Sequence, residues 1–306
     1  MPIFLPLALL LFAQQPPEPS IKVDVNLVNV AFLVHDAAGS LAGNLTRDDI
    51  EVFEDGVKQD VRFFGRSADL PLRLALLADV SGSQEKFVSR HNRDIQRFLK
   101  TSVSGRDRAM LVVFGNRIRV MSDFSSSTGD LLDGLAAKSR AGYPELEPDD
   151  TRTGGTAFFD AIYLTALRKL RPSPAGERRA IIVFSDGEDN SSAHDLMDAI
   201  EAAQTSDSLI YTVRYTESMH GRLTARNRYG IREMDRLANE TGGAAFDAST
   251  EDVAKSLHQV SEELRSMYDL GYVSTNPVRD GTFRKLVIRV KKEGFTVRAK
   301  PGYYAR

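Results

Sequence analysis

Two unbroken apolar runs, Leu74 to Ala78 and Ala180 to Phe184, constrain the fold of this chain more than any other feature. A run of that length bounded by turn residues reads as a β-strand buried on both faces. Such strands need helices above and below them, and the intervening sequence supplies helical patterns. The pattern predicts strands at 72–79, 109–115, 180–185, 208–215 and 244–247, with an edge strand at 117–122 after a hairpin through Gly115-Asn116. Helices are predicted near 84–103, 128–137, 156–170, 193–204, 230–240 and 250–267. On the first, Phe87, Ile95, Phe98 and Leu99 share a side; on the last, Val253, Leu257, Val260 and Leu264 do. Alternation of this kind gives an α/β fold, a Rossmann-like, doubly wound, mostly parallel sheet.

The flanks are different. Residues 21–65 read as strands, with Val23, Val25, Leu27, Val28, Val30, Phe32 and Val34 in partial alternation. Leu45 to Asp49 looks like a capped single turn, Ile50 to Phe53 a second strand, Glu54-Asp55-Gly56 a hairpin turn, and Gln59 to Phe64 a third strand. After residue 268, strands are predicted at Tyr268 to Ser274, Arg284 to Val290 and Thr296 to Lys300, with turns at Asn276-Pro277 and Glu293-Gly294. Three strands at each end are too few for two sandwiches. The economical arrangement is one small β-sandwich formed from the N- and C-terminal flanks, with the α/β domain inserted between them. The expected layout is a signal peptide and linker at 1–20, the β-domain at 21–68 and 269–306, and the α/β domain at 70–268.

In an open parallel sheet, ligands bind where the carboxyl ends of the strands meet the loops. Three oxygen-rich segments fall there: Asp79-Val80-Ser81-Gly82-Ser83, Gly154-Gly155-Thr156 and Ser185-Asp186-Gly187. Each alone is an ordinary helix cap, loop or turn. Together, Asp79, Ser81, Ser83, Thr156 and Asp186 offer two carboxylates and three hydroxyls, with no His and no Cys. That donor set suits a hard cation, Mg2+ or else Mn2+ or Ca2+, whereas zinc or copper would want nitrogen or sulfur. Neutral hydroxyl ligands leave the metal electrophilic toward a carboxylate brought by a partner.

The pattern Asp-x-Ser-x-Ser, then Thr, then Asp resembles the metal-ion-dependent adhesion site of the von Willebrand factor type A (VWFA) domain family, over roughly residues 70 to 268. The resemblance implies that Ser81 and Ser83 bind the metal directly. It implies that Thr156 does so directly or through water, depending on state, and that Asp79 and Asp186 act directly or through water. It also implies that the helix at 250–267 shifts when the metal site changes state, whereas its apolar stripe by itself reads as the core face of a rigid helix. Phe53-Glu54-Asp55-Gly56 and Gly302-Tyr303-Tyr304 resemble the flanks of a bacterial group of secreted proteins with this domain.

The function expected from these residues is a divalent-cation-dependent protein-binding or adhesion module that coordinates an acidic residue of a partner, and not an enzyme. A metal-dependent hydrolase or phosphatase is the alternative, and a purely structural metal is a third reading. Hydrolysis needs a base or nucleophile near the metal. His91 falls mid-helix, where a solvent-facing place is expected; His194 is eight residues past Asp186 and is expected as a capping or surface residue. Position 79 is Asp and 83 is Ser, so Ser81 is no Gly-x-Ser-x-Gly nucleophile. Glu145, Glu147, Asp149, Asp150, Glu188 and Asp189 are expected to be solvated loop charges.

The chain has 306 residues, 27% of them charged, with a formal net charge of −2. That balance does not point to nucleic acid or an anionic membrane surface. The apolar run Ile3 to Ala13 is too short to span a bilayer and suits a signal-peptide core. No Lys or Arg precedes it, and Leu11 stands where a cleavage site wants a small residue. The expectation is export to the periplasm or outside the cell, with no membrane span in the mature chain.

Overall fold

A computed structural model describes residues 27–66, 68–137, 141–147, 153–174, 176–217 and 222–305. The predicted signal segment, Val23, Val25, Asp149 and Asp150 lie outside the described residues. The strands are β1 Leu27–His35, β2 Ile50–Glu54, β3 Val57–Gln59, β4 Val61–Arg66, β5 Leu72–Asp79, β6 Arg108–Phe114, β7 Ile118–Ser125, β8 Arg178–Ser185, β9 Ser208–Arg214, β10 Ala245–Asp247, β11 Tyr268–Val273, β12 Phe283–Val290, β13 Thr296–Ala299 and β14 Gly302–Tyr304. The α-helices are α1 Val88–Ser102, α2 Thr128–Ala136, α3 Phe158–Thr165, α4 Leu196–Thr205, α5 Ala225–Thr241 and α6 Val253–Ser266.

Six strands form the central sheet in the order β10-β9-β8-β5-β6-β7. All neighbours are parallel except β7, which returns antiparallel on β6 through the hairpin at Gly115-Asn116. The apolar runs explain both faces. Leu74, Leu76, Ala78, Ile182 and Phe184 point into a core closed by α1, α2 and α6. Ala75, Leu77, Ile181 and Val183 point into another closed by α3, α4 and α5. Val253, Leu257, Val260 and Leu264 of α6 are all buried, each contributing ~2 kcal/mol by removal from water.

The flanks build two further four-stranded sheets, β13-β1-β11-β4 and β14-β12-β2-β3. Each mixes strands from both chain ends: β1 pairs with β11 and β13, and β2 with β12. Val30, Phe32, Val52, Tyr268, Leu270, Tyr272, Leu286 and Ile288 fill one core between them. The fold class is therefore the expected one, and the β-sandwich differs from expectation at two places, the segment 59–64 and the added strand β14. The strand predicted at 59–64 is two strands: β3 pairs with β2 in one sheet and β4 with β11 in the other, the chain crossing at Asp60.

The two end motifs meet. Glu54, buried, accepts hydrogen bonds from the hydroxyls of Tyr303 at 2.9 Å, Tyr272 at 2.7 Å and Ser274 at 2.6 Å. β14, absent from the sequence-based expectation, supplies Tyr303. On its other side β1 turns Leu33 into the α6-side core, so the β-domain is seated on the inserted domain.

Candidate metal centre

β5 and β8 lie side by side, so their carboxyl ends deliver Asp79 and Ser185-Asp186 to neighbouring places on one rim. Asp79 is fully buried. Its Oδ1 accepts from the Ser81 backbone N–H at 2.9 Å, and its Oδ2 accepts from the Ser185 hydroxyl at 2.5 Å. The first bond closes the turn that Gly82 continues; the second ties the two strand ends together. Burial pushes the Asp79 carboxyl up to about 7 against the pull of Ser185 and Ser81, and the charge of Asp186 adds to the rise. The hydroxyls of Ser81 and Ser83 stand 3.3 Å apart. The chain then enters a tight 3-10 turn, Gly82–Phe87, before α1 proper, so the helix predicted from 84 starts one turn later.

Asp186 is also buried. Its Oδ1 accepts from Glu188 N–H at 3.1 Å and its Oδ2 from Gln84 Nε2 at 2.7 Å. Thr156 stands just before α3, buried, on a backbone stitched to the Asp186 loop. Its N–H donates to Asn190 Oδ1 at 2.7 Å, and its carbonyl accepts from the N–H groups of Asn190 and Ser191 at 3.2 Å each. Asp189 Oδ1 caps α3 by accepting from Phe158 N–H at 2.8 Å. Asp160 answers from α3, accepting from Ala193 N–H and His194 N–H, both at 2.9 Å. Gly155 permits this close seam: its φ is +90°, and a Cβ there would meet Asn190 Oδ1 at 2.5 Å.

The five predicted residues thus fall into two hydrogen-bonded blocks. Asp79, Ser81 and Ser83 form one; Thr156 and Asp186 sit on the other. The blocks touch through Ser185–Asp79 and Gln84–Asp186. Among the described residues no hydrogen bond links the Thr156 hydroxyl to the other four. A cavity of ≈ 200 Å³ opens beside Ser81, Gly82, Gly154 and Gly155.

Several expectations change. His91 is fully buried, not solvent-facing; its ring lies against Tyr215 at 4.3 Å and Phe184 at 6.3 Å. Burial lowers its pKa to about 4. His194 is partly exposed, as expected, with Nδ1 2.7 Å from Asp160 Oδ1 and its ring stacked on Tyr163 at 3.6 Å. Glu145 is not a free loop charge: it pairs with Arg119 at 2.6 Å and Arg117 at 3.3 Å. Asp189 is a helix cap, and burial raises its pKa. Glu188 is half-buried, its pKa raised by burial and by Asp186. The sequence pattern missed Gln84, Ser185 and Asn190 as supporting residues. For Gln84 the one available signal is an amide placed directly after Asp-x-Ser-x-Ser.

The donor set fits a hard cation. Asp79 and Asp186 are buried near each other, and among the described residues neither has a Lys or Arg partner. Two buried carboxylates without a counter-charge are costly unless a cation or protons neutralise them. Among the described residues no three His, Asp or Glu side chains gather as a metal cluster. Any cation here would therefore rest on two carboxylates and on hydroxyl oxygens.

No family model and no curated protein matches the sequence. Solved structures do. A von Willebrand factor type A protein from Catenulispora acidiphila is similar over 94% of this chain and 65% of that one, with 13% identity and a TM-score of 0.50. BatB from Bacteroides thetaiotaomicron covers 63% of this chain and 97% of its own at 19% identity, TM-score 0.47. Proximal thread matrix protein 1 from the mussel byssus, with zinc in its metal-ion-dependent adhesion motif, covers 68% of this chain and 48% of its own at 14% identity, TM-score 0.48. The sheet order, the helices on both faces and the Catenulispora likeness define the class: this chain has the von Willebrand factor type A fold. Among the described residues no helix is long and apolar enough to cross a membrane.

Proposed function

We propose that this protein is a divalent-cation-dependent protein-binding module, not an enzyme, working outside the cytoplasm. One observation carries the reading: buried Asp79 and Asp186 share a rim with paired serine hydroxyls and, among the described residues, have no cationic side-chain partner. Asp79, Ser81, Ser83, Thr156 and Asp186 would hold the cation, Mg2+ first and Mn2+ or Ca2+ next. The bound cation would act as a Lewis acid with a coordination position open to a carboxylate oxygen. The protein's own part is to hold the donors. Asp79 is braced by Ser81 N–H and Ser185, Asp186 by Glu188 N–H and Gln84, and Thr156 by Asn190. The partner supplies an Asp or Glu side chain. His91 is enclosed by Tyr215 and Phe184, and His194 is engaged by Asp160, which supports binding over hydrolysis.

Isothermal titration tests this. Mg2+ or Mn2+ is expected to bind at one site and to raise the melting temperature, and Asp79→Ala is expected to remove both effects. At a hundredfold excess over Kd the stabilisation is about 2.7 kcal/mol. Zinc, the ion in the mussel protein's motif, belongs in the same titration. Equal binding by wild type and Asp79→Ala refutes the site.

A further inference from the structure

Gln84 is nearly fully buried on the 3-10 turn between β5 and α1. Its Nε2 donates to Asp186 Oδ2 at 2.7 Å and to the Tyr215 carbonyl at 3.1 Å. Both partners are acceptors, so the amide's orientation is determined by chemistry. The other end of the amide, Oε1, is buried and has no hydrogen-bond partner among the described residues. A buried acceptor left without a donor costs about 1–3 kcal/mol, so the Nε2 bonds are what hold the side chain in place.

Gln84 also occupies a joint. The Asp79 block and the Thr156–Asp186 block are each internally hydrogen-bonded, and Gln84, like Ser185, links them through its side chain. Through Tyr215 it reaches the end of β9 as well, since Tyr215 N–H bonds the Ser185 carbonyl at 2.9 Å. An N–H donor on Asp186 Oδ2 competes with a cation for that oxygen. Asp186 would thereby be restrained from closing directly on a bound cation.

We propose that Gln84 is a positioning residue of this site: its Nε2 hydrogen bond to Asp186 Oδ2 would hold that carboxylate back from the cation, so that a water fills the position. The inference rests on the cation-binding reading and specifies how one coordination position is kept for water, and so for an exchangeable partner carboxylate. Gln84 touches Asp186; it is not a ligand.

The test counts waters. Tb3+, which favours oxygen donors, is bound to the full chain, and its luminescence lifetimes in H2O and D2O report the waters it keeps. Gln84→Met retains the size of the side chain and removes both the donor and the acceptor. It is expected to bind Tb3+ with one water fewer than wild type and at least tenfold tighter, because Asp186 moves in. Gln84→Glu removes the donor and adds charge; it is expected to lose a water as well, and it serves if the Met variant does not fold. Equal water counts in wild type and either folded variant overturn the role of Gln84 while leaving the cation site standing. Failure of wild type to bind Tb3+, Mg2+ or Mn2+ overturns the cation reading and this inference with it.

Discussion

The two ends of the six-stranded sheet bury carboxylates and neutralise them by opposite means. At the base, arginines do it. Asp269 is gripped by Arg178 through two bonds of 2.7 Å, Asp107 by Arg265 at 2.6 Å, Glu177 by Arg73 and Glu263 by Arg298. The Arg178–Asp269 and Arg298–Glu263 pairs cross from the α/β domain to the β-sandwich and seat one on the other, while Arg265–Asp107 ties α6 to the loop before β6. At the rim, Asp79 and Asp186 have hydroxyl, amide and backbone donors in place of arginines. A bidentate arginine pair is permanent and complete. Hydroxyls and amides orient a carboxylate but leave its charge. The base is therefore built to stay shut, whereas the rim, on the function proposed above, would take its positive charge from solution.

Breaking the base is expected to have the largest effect. Arg178→Met removes both 2.7 Å bonds to Asp269 beneath the sheet, where the pair's side chains are 7% and 24% exposed. Removal of one partner from such a pair costs about 4 kcal/mol. Urea unfolding of wild type and variant, without added metal, measures it. A loss below about 1 kcal/mol would mean that the base arginines do not hold the domains, and the contrast between the ends would collapse.

Acid sharpens the contrast, because the two ends give way in different windows. At the rim, His91 is kept neutral: its pKa falls from 6.5 to about 4, chiefly by burial. Between those values the unfolded chain takes up a proton that the folded chain refuses. The His91 share of stability is therefore lost as pH falls from about 6.5 toward 4, by about 3 kcal/mol in all. Asp79, whose carboxyl is raised by burial from 3.8 to about 7, contributes with the opposite sign across the whole of this range and by a comparable amount. The His91 share is hence read as the difference between wild type and His91→Phe, which keeps the aromatic packing on Tyr215. At the base, burial raises the Asp107 carboxyl but Arg265, Leu72 N–H and Ser104 outweigh it and hold it below 3.8. Its stabilisation is complete above that value and is lost only as pH falls further. Chemical denaturation at stepped pH checks both. A His91→Phe curve parallel to wild type between pH 6.5 and 4 would show that the rim does not pay this protonation penalty.

Much of the fold was legible because its signals are local. The apolar runs before Asp79 and Asp186 dictate parallel strands, and strand ends place both acids on one rim. Signals that depend on distant partners were not legible. The strand expected at 59–64 splits because β3 and β4 follow different sheets, which no local period records. The first turns of α5 are polar and begin at Ala225, capped by Thr224, well before the apolar pattern starts. His91 sits among polar neighbours on α1, yet it faces Phe184 and Tyr215 from other segments. Gln84 and Asn190 acquire their roles only when three loops meet. Ligand-type residues repeat at short spacing and can be read; the residues that brace them are drawn from anywhere the fold brings close.

The smallest expected effect tests whether the rim's charge, and not one bond, draws a cation. Arg226 is the arginine that approaches the Asp186 loop, 3.6 Å from Glu188, with its own side chain 72% exposed. An exposed pair of that length contributes at most about 0.5 kcal/mol to stability. Arg226→Ala is therefore expected to unfold at nearly the wild-type urea concentration. Its effect on a cation is different in kind. Removing a positive charge near the site lowers a repulsion that, across solvent, is worth a few tenths of a kcal/mol, so Mg2+ affinity is expected to tighten by about twofold at low salt. The gain is expected to vanish near 1 M salt, where the screening length is about 3 Å. A tightening that persists at high salt would locate the effect in local rearrangement of Glu188 and not in the field of the rim. Weaker Mg2+ binding would show that Arg226 braces the Asp186 loop, which would give the rim an arginine anchor like those of the base.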